Sequence, residues 1–107
     1  MISELHDIKT LGAKIESEKC VLVDFYADWC EPCKWLEDIL DQLNPRVKNF
    51  VSIVKINIEK VDAVTEKFNV RSVPVLILFK NGNPVWRING FLTGDELEKL
   101  ILEKCLE

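Results

Sequence analysis

The chain has 107 residues, a formal net charge of −4 and 48% hydrophobic residues, which fits a single domain over 1–107. Acidic and basic residues are interleaved, and this excludes the clustered positive charge that nucleic-acid binding needs. The apolar runs are too short to span a membrane, and the N-terminus, Met1 to Asp7, lacks the pattern of a secretory signal. We therefore expect a cytoplasmic protein that binds neither nucleic acid nor membrane.

The first half of the chain predicts helices and strands in alternation. A helix is expected over 7–17, where apolar residues recur at helical spacing, with a weak strand before it. The apolar run 21–26 contains one acid, Asp24, and predicts a strand that is buried on both faces. A second helix is expected over 33–43. Asn44-Pro45 is expected to end it, because the residue before a proline avoids the helical conformation.

The second half predicts a strand over 51–58, a helix over 62–68, strands over 75–79 and 84–88, and a final helix after Thr93. Asn81-Gly82-Asn83 lies between the last two strands and is typical of a hairpin turn. Thr93 and Glu96 have the spacing of a capping box. The order β-α-β-α-β-α-β-β-α predicts an α/β fold: a central mixed sheet of four to five strands with helices on both faces.

A pair of cysteines, Cys30 and Cys33, lies where the strand over 21–26 gives way to a helix. Two intervening residues let the sulfurs form a reversible disulfide, and a helix N-terminus stabilises a thiolate. Pro32 suits the first helical turn, since it has no amide hydrogen to leave unpaired. The position predicts that Cys30 attacks a target disulfide and that Cys33 resolves the mixed disulfide.

Two other interpretations of the pair compete with this one. The pair could be half of a zinc site, but the remaining candidates, Cys20, Cys105 and His6, are not at zinc-ligand spacing. A pair of purely structural cysteines is not expected next to Trp29 and Pro32. Cys20 and Cys105 themselves are interpreted as small apolar residues of the core.

The segment 21–34, which contains Trp29-Cys30-Glu31-Pro32-Cys33, resembles the signature segment of the thioredoxin family. Val73-Pro74 is similar to the family's cis-proline site, and Lys55, Asn81-Gly82 and Gly90 also match. The resemblance covers the chain from about residue 21 to its end, and it implies the thioredoxin fold and a disulfide reductase.

The resemblance also implies roles for single residues. Asp24 would move protons for Cys33, with a pKa raised by burial, and Lys55 would be its partner. The alternative is an acid near the strand end that reaches solvent or pairs with a lysine. Pro74 would be cis and would leave the backbone of Val73 free to bind a target peptide as an added strand. The remaining target-binding residues are Trp29, Glu31, Pro32 and Gly90.

The chain departs from the family pattern at three positions. Glu31 replaces a glycine, and its charge is expected to disfavour the Cys30 thiolate and make the protein a stronger reductant. Asp38 replaces a proline that kinks the helix, so a straighter helix is expected. Trp35 is unusual, and it is either a core residue or an exposed contact for a partner.

As in the family, the protein would be re-reduced by a thioredoxin reductase that takes electrons from NADPH. It would act on disulfide-containing proteins as a monomer, without a bound cofactor or metal. One alternative is a disulfide oxidant or isomerase outside the cytoplasm. Another is a thioredoxin-like binding subunit without a redox role.

Overall fold

The structure is a computed structural model, and it describes residues 2–106. Nine elements follow one another along the chain: β1 (Ser3–Leu5), α1 (Ile8–Ser17), β2 (Cys20–Tyr26), α2 (Glu31–Val47), β3 (Ser52–Asn57), α3 (Val64–Phe68), β4 (Val75–Lys80), β5 (Asn83–Asn89) and α4 (Gly94–Cys105). This order confirms the predicted succession of elements, and the weak first strand is β1.

The five strands form one sheet in the order β1-β3-β2-β4-β5. Strands β1, β3 and β2 are parallel, whereas β4 is antiparallel to β2 and β5 is antiparallel to β4. The predicted mixed sheet is therefore confirmed. The β4–β5 hairpin turns at Asn81 and Gly82, whose φ angles of 52° and 84° are the left-handed conformation such a turn needs.

Strand β2 lies at the centre of the sheet and contributes to two separate cores. Val21, Val23 and Phe25 pack in the core that includes Leu11 and Ile15 of α1. Leu22 packs in the opposite core, beneath α2 and α4. Because side chains alternate along a strand, Asp24 faces the same side as Leu22, towards α2.

Helix α2 is longer than predicted, and the expectation that it ends at Asn44-Pro45 is wrong. It begins at Glu31, since Cys30 is its N-cap, and it continues through Pro45 to Val47. A proline in the last turn removes one backbone hydrogen bond. Val47 is fully buried in the same core as Leu43, so side-chain packing offsets that loss.

The other two long helices begin as the sequence predicts. The Asp7 carboxylate accepts a hydrogen bond from the Thr10 amide (2.6 Å) at the start of α1. The capping box of α4 is formed in full, because Thr93 and Glu96 each accept from the other's backbone N–H. None of the helices among residues 2–106 is long and apolar enough to cross a membrane.

Cys20 and Cys105 form a disulfide, so the interpretation of both as free apolar residues is wrong. Their Cα atoms are 6.1 Å apart. Both residues are buried in the core beneath α2 and α4, as that interpretation required, but they also carry a covalent bond. The sulfurs meet because β2 begins where α4 ends, a contact between residues 85 positions apart in the sequence.

Candidate active site

Cys30 and Cys33 form a disulfide at the N-terminus of α2, with their Cα atoms 5.2 Å apart. The Cys30 sulfur also accepts a hydrogen bond from the Cys33 amide (3.2 Å). Pro32 occupies the first turn of the helix, as expected. Amide hydrogens that have no partner in the first turn of a helix favour negative charge, so this position stabilises a thiolate on Cys30 once the bond is reduced.

Cys30 and Cys33 are buried to a similar extent, but only Cys33 lies next to a cavity. Cys30 is 3% exposed and Cys33 is 4% exposed. Cys33 lines a cavity of about 90 Å³ together with Asp24, whereas Cys30 lies outside the cavity wall. Since a water molecule needs only about 10–15 Å³, the cavity has room for water between the Asp24 carboxyl and Cys33.

Asp24 is 2% exposed, and burial raises its pKa to about 7. The Lys55 ammonium opposes this increase, whereas the Glu37 and Glu4 carboxylates add to it. Within residues 2–106, its Oδ1 atom has no hydrogen-bond partner. A carboxyl with this pKa exchanges a proton near neutral pH, which is what its predicted role requires.

Lys55 lies directly opposite Asp24 in the pairing of β2 with β3. Its ammonium contacts Glu37 (3.3 Å) and lies 5.7 Å from the centre of the Tyr26 ring. Glu37, which was not among the residues predicted from the sequence, lines the same cavity. Its position four residues after Cys33 on a helix was the available signal, because residues at that spacing share a face.

The loop between α3 and β4 borders the disulfide. The Val73–Pro74 peptide bond is cis, which confirms that expectation. Val73 packs against the cluster formed by Ala27, Cys30 and Cys33. Among the described residues the Val73 backbone forms no hydrogen bond, whereas the Pro74 carbonyl accepts one from the Gly90 amide (2.8 Å).

Gly90 has a φ of +133°, a backbone conformation that side chains rarely allow. Trp29 is 66% exposed beside Cys30, so it lies at the surface as expected. Glu31 is also exposed, but its carboxylate contacts the Lys34 ammonium (3.1 Å). Lys34 was not among the residues predicted from the sequence, and its contact with Glu31 weakens the repulsion expected between Glu31 and the Cys30 sulfur.

The zinc interpretation required further ligands close to Cys30 and Cys33. Cys20 and Cys105 are bonded to each other at the opposite end of β2, so they do not supply those ligands. Among residues 2–106, no three Cys, His, Asp or Glu side chains are grouped as a metal site requires.

The fold and the site together define a class, the thioredoxin-fold proteins with a Cys-x-x-Cys disulfide at a helix N-terminus beside a cis-proline loop. The thioredoxin family model matches residues 5–103. The chain therefore belongs to the thioredoxin family.

Several relatives support this assignment. The chain is 36% identical to a thioredoxin from Haemophilus influenzae, over 94% of each chain. It is 39% identical over 92 residues to the chloroplastic thioredoxin Y of rice. That match covers 86% of this chain and 54% of the rice protein. The chain thus spans about half the length of the chloroplastic relatives from rice and Arabidopsis thaliana.

The solved structures agree with the sequence comparison. A thioredoxin from Plasmodium falciparum superposes with a TM-score of 0.86 at 27% identity, covering 96% of this chain and 99% of that one. A mutant thioredoxin from Halobacterium salinarum superposes with a TM-score of 0.87 at 31% identity, covering 96% of this chain and 89% of that one.

Proposed function

We propose that this protein reduces disulfides in other proteins by dithiol–disulfide exchange. The observation that carries the proposal is the placement of the Cys30–Cys33 disulfide. Cys30 is the N-cap of α2, and Cys33 lines the cavity that contains Asp24. This arrangement separates an activated thiolate from a thiol that has a proton acceptor nearby, which is what a two-step exchange requires.

In the first step the reduced protein attacks with the Cys30 thiolate. A bond forms between the Cys30 sulfur and one target sulfur, the target disulfide breaks, and the other target sulfur leaves as a thiolate that takes a proton. In the second step Cys33 loses its proton and attacks the Cys30 sulfur. The Cys30–Cys33 disulfide forms and the second target thiol is released. Two electrons and two protons have then passed to the target.

Asp24 accepts the Cys33 proton in the second step, directly or through water in the cavity. Its pKa of about 7 means that the carboxylate and the acid are both populated at neutral pH. Lys55 stabilises the carboxylate form, and the contact with Glu37 holds the lysine beside the cavity. Lys55 and Glu37 therefore adjust the pKa of Asp24, the proton acceptor, without contacting the sulfur atoms.

A target segment binds in extended form across the cis-proline loop. Val73 offers an unpaired backbone N–H and C=O beside the disulfide, so a peptide can add to it as a short strand. The exposed ring of Trp29 lies beside Cys30, together with Glu31 and Pro32. Gly90 is held next to the loop by the hydrogen bond from its amide to the Pro74 carbonyl. These residues would contact the target while its disulfide approaches Cys30.

We further infer that a thioredoxin reductase returns electrons from NADPH to the Cys30–Cys33 disulfide, and that the protein acts as a monomer in the cytoplasm. Family membership supports the recycling step. Disulfides are rare in cytoplasmic proteins, so the Cys20–Cys105 disulfide by itself would favour a location outside the cytoplasm. The burial of both residues, at 3% and 4% exposure, is consistent with a disulfide that survives in the cytoplasm.

The test is the reduction potential of the Cys30–Cys33 pair, followed by tryptophan fluorescence in thiol–disulfide buffers. Cys20→Ala/Cys105→Ala is the matched control, because in that variant the potential belongs to one disulfide only. We expect a value near or below about −270 mV, where characterised thioredoxins lie. A value between roughly −180 and −120 mV would instead identify an isomerase or an oxidant.

A second experiment addresses the alternative of a binding subunit. Cys30→Ser/Cys33→Ser removes the exchange chemistry and retains the surface. We expect this variant to lose all reduction of a protein disulfide, measured as target thiols released. A biological activity that survives in the variant would show that binding alone is the function.

A further inference from the structure

Two large aromatic side chains, Trp35 and Phe91, contact each other on the surface. Trp35 lies in α2 and is 56% exposed, and Phe91 lies between β5 and α4 and is 38% exposed. Their ring centres are 6.1 Å apart with the planes at 80°, an edge-to-face arrangement. Exposed aromatic side chains that contact each other form an apolar patch, and such patches occur at contact sites for other molecules.

This aromatic pair borders the proposed target-binding surface. Trp35 follows Cys33 by two residues on the same helix. Phe91 directly follows Gly90, whose amide is bonded to the carbonyl of Pro74. A target held at the disulfide therefore extends over the pair if its chain continues towards α2 and α4.

Two acidic side chains lie next to Trp35 on α2. Glu31 precedes Trp35 by four residues and Asp38 follows it by three, so both lie next to it on the helix surface. Lys34 contacts Glu31 (3.1 Å) and offsets that charge. Among the described residues, Asp38 forms no ion pair.

The start of α4, which follows Phe91 in the chain, carries further negative charge. Arg46 contacts both Asp95 (3.8 Å) and Glu98 (3.2 Å). One cation therefore faces two carboxylates, and the Asp95 side chain is 93% exposed. A Cβ atom added at Gly94 would lie 4.0 Å from Ile39 Cγ2, so α2 and α4 are neighbours here. Asp38 on α2 has no basic partner among the described residues, and the start of α4 has one carboxylate more than Arg46 can neutralise. We call these three side chains, Asp38, Asp95 and Glu98, the acidic rim.

We propose that Trp35 and Phe91 bind a segment of a disulfide-containing target that carries an apolar side chain next to lysine or arginine. This inference rests on the proposed disulfide reductase function, because it states which target disulfides the Cys30–Cys33 site would reduce fastest. The apolar side chain packs on the two rings, and the basic side chains contact the acidic rim. A second copy of this chain fits poorly, since a symmetric contact would place the acidic rim against itself.

The experiment uses four peptides that contain the same single disulfide and differ only in the flanking segment. The flank has either phenylalanine or serine, followed by two arginines or two glutamates. The pre-reduced protein is mixed with each peptide, and the second-order rate constant is taken from the thiols released. A small non-peptide disulfide is reduced in parallel and reports on the exchange chemistry alone.

We expect the peptide with phenylalanine and arginines to react about tenfold faster than the peptide with serine and glutamates. Trp35→Ala lowers this ratio, because it removes the ring on which the phenylalanine packs. The rate constants of the serine peptides should therefore change less than those of the phenylalanine peptides. Asp38→Asn lowers the preference for arginine over glutamate, and added salt has the same effect. Phe50→Ala is the matched control, since Phe50 is also 38% exposed but lies outside this surface.

Equal rate constants for the four peptides, with the small disulfide still reduced, would overturn the docking proposal and leave the reductase standing. Failure to reduce any of the disulfides would instead overturn the proposed function. A dimer in sedimentation that Trp35→Ala dissolves would show that the aromatic pair binds a second copy, and it would also overturn the proposal.

Discussion

Cys20 and Cys105 are joined by a disulfide that links the first residue of β2 to the last residue of α4. The bond ties the end of the chain to the central strand of the sheet. It lies at the opposite end of β2 from the Cys30–Cys33 disulfide. The Cys30–Cys33 disulfide at one end of β2 is positioned for thiol–disulfide exchange, whereas the buried Cys20–Cys105 disulfide at the other end is positioned to stabilise the fold.

We predict that Cys20→Ala/Cys105→Ala lowers the free energy of unfolding by roughly 2–5 kcal/mol. The disulfide closes a loop between residues 85 positions apart, and such loops constrain the unfolded chain strongly. Denaturant unfolding of the oxidised proteins measures the loss. Cys30→Ala/Cys33→Ala is the control, since its cysteines are only 3 positions apart and its loss should be smaller. Equal losses would contradict the explanation.

We predict that a limiting amount of reductant opens Cys30–Cys33 before Cys20–Cys105. The reductant attacks Cys30, in the reverse of the proposed exchange, so Cys33 is the thiolate that leaves. Cys33 lies in the first turn of α2, where negative charge is stabilised, whereas Cys105 lies at the negative end of α4. The better leaving group is displaced faster. Stepwise alkylation followed by peptide mass spectrometry identifies which thiols appear first. Simultaneous release of all four would contradict this order.

We predict that Asp24→Asn stabilises the protein at pH 8 and has little effect on its stability at pH 4. The carboxyl keeps its proton up to about pH 7 in the native state, but loses it near pH 3.8 when unfolded. Native Asp24 thus binds the proton more tightly, and its contribution to stability falls as the pH rises from 4 to 7. The neutral amide does not titrate.

The difference in unfolding free energy between Asp24→Asn and the parent is expected to grow to at most about 4 kcal/mol over that range. Denaturant unfolding at several pH values measures it. The same variant is expected to slow the release of the second target thiol, because Cys33 loses its proton acceptor. A constant difference in stability across the range would show that Asp24 ionises normally in the folded protein.

We predict that Glu37→Gln lowers the pKa of Asp24. The Glu37 carboxylate raises that pKa and also contacts the lysine that would otherwise stabilise the Asp24 carboxylate. Carboxyl carbon chemical shifts during an NMR titration follow Asp24 directly. Asp41→Asn is the matched control, as Asp41 is an exposed acid one turn further along α2. An equal change in both variants would indicate a general charge effect.

We predict that Glu31→Gly moves thiolate formation at Cys30 to lower pH by only a small amount. Lys34 already offsets the Glu31 charge, and both side chains are more than half exposed. Lys34→Met removes that partner, so it should move thiolate formation to higher pH. Thiolate absorbance in the reduced Cys20→Ala/Cys105→Ala background measures both changes. A large effect of Glu31→Gly with none of Lys34→Met would contradict the offset.

Much of the site could be predicted because its residues lie in one motif. Cys30 and Cys33 are adjacent in sequence to the strand that carries Asp24, so their placement follows from local structure. The Cys20–Cys105 disulfide could not be predicted in this way, because it depends on how α4 packs on the sheet. The continuation of α2 through Pro45 could not be predicted either. Local conformation predicts that the helix ends before the proline, and only the burial of Val47 in the folded protein explains why it continues.

The unpaired backbone beside Val73 also bears on how long a target stays bound. In the proposed exchange, a peptide that adds to Val73 would gain few main-chain hydrogen bonds, because a single residue has one N–H and one C=O to offer. The covalent mixed disulfide would then supply most of the attachment. Once Cys33 broke that bond, the reduced target would have few contacts left and would dissociate. The lifetime of the complex would thus be set by the rate of disulfide exchange, so that one small protein would act on many targets in turn.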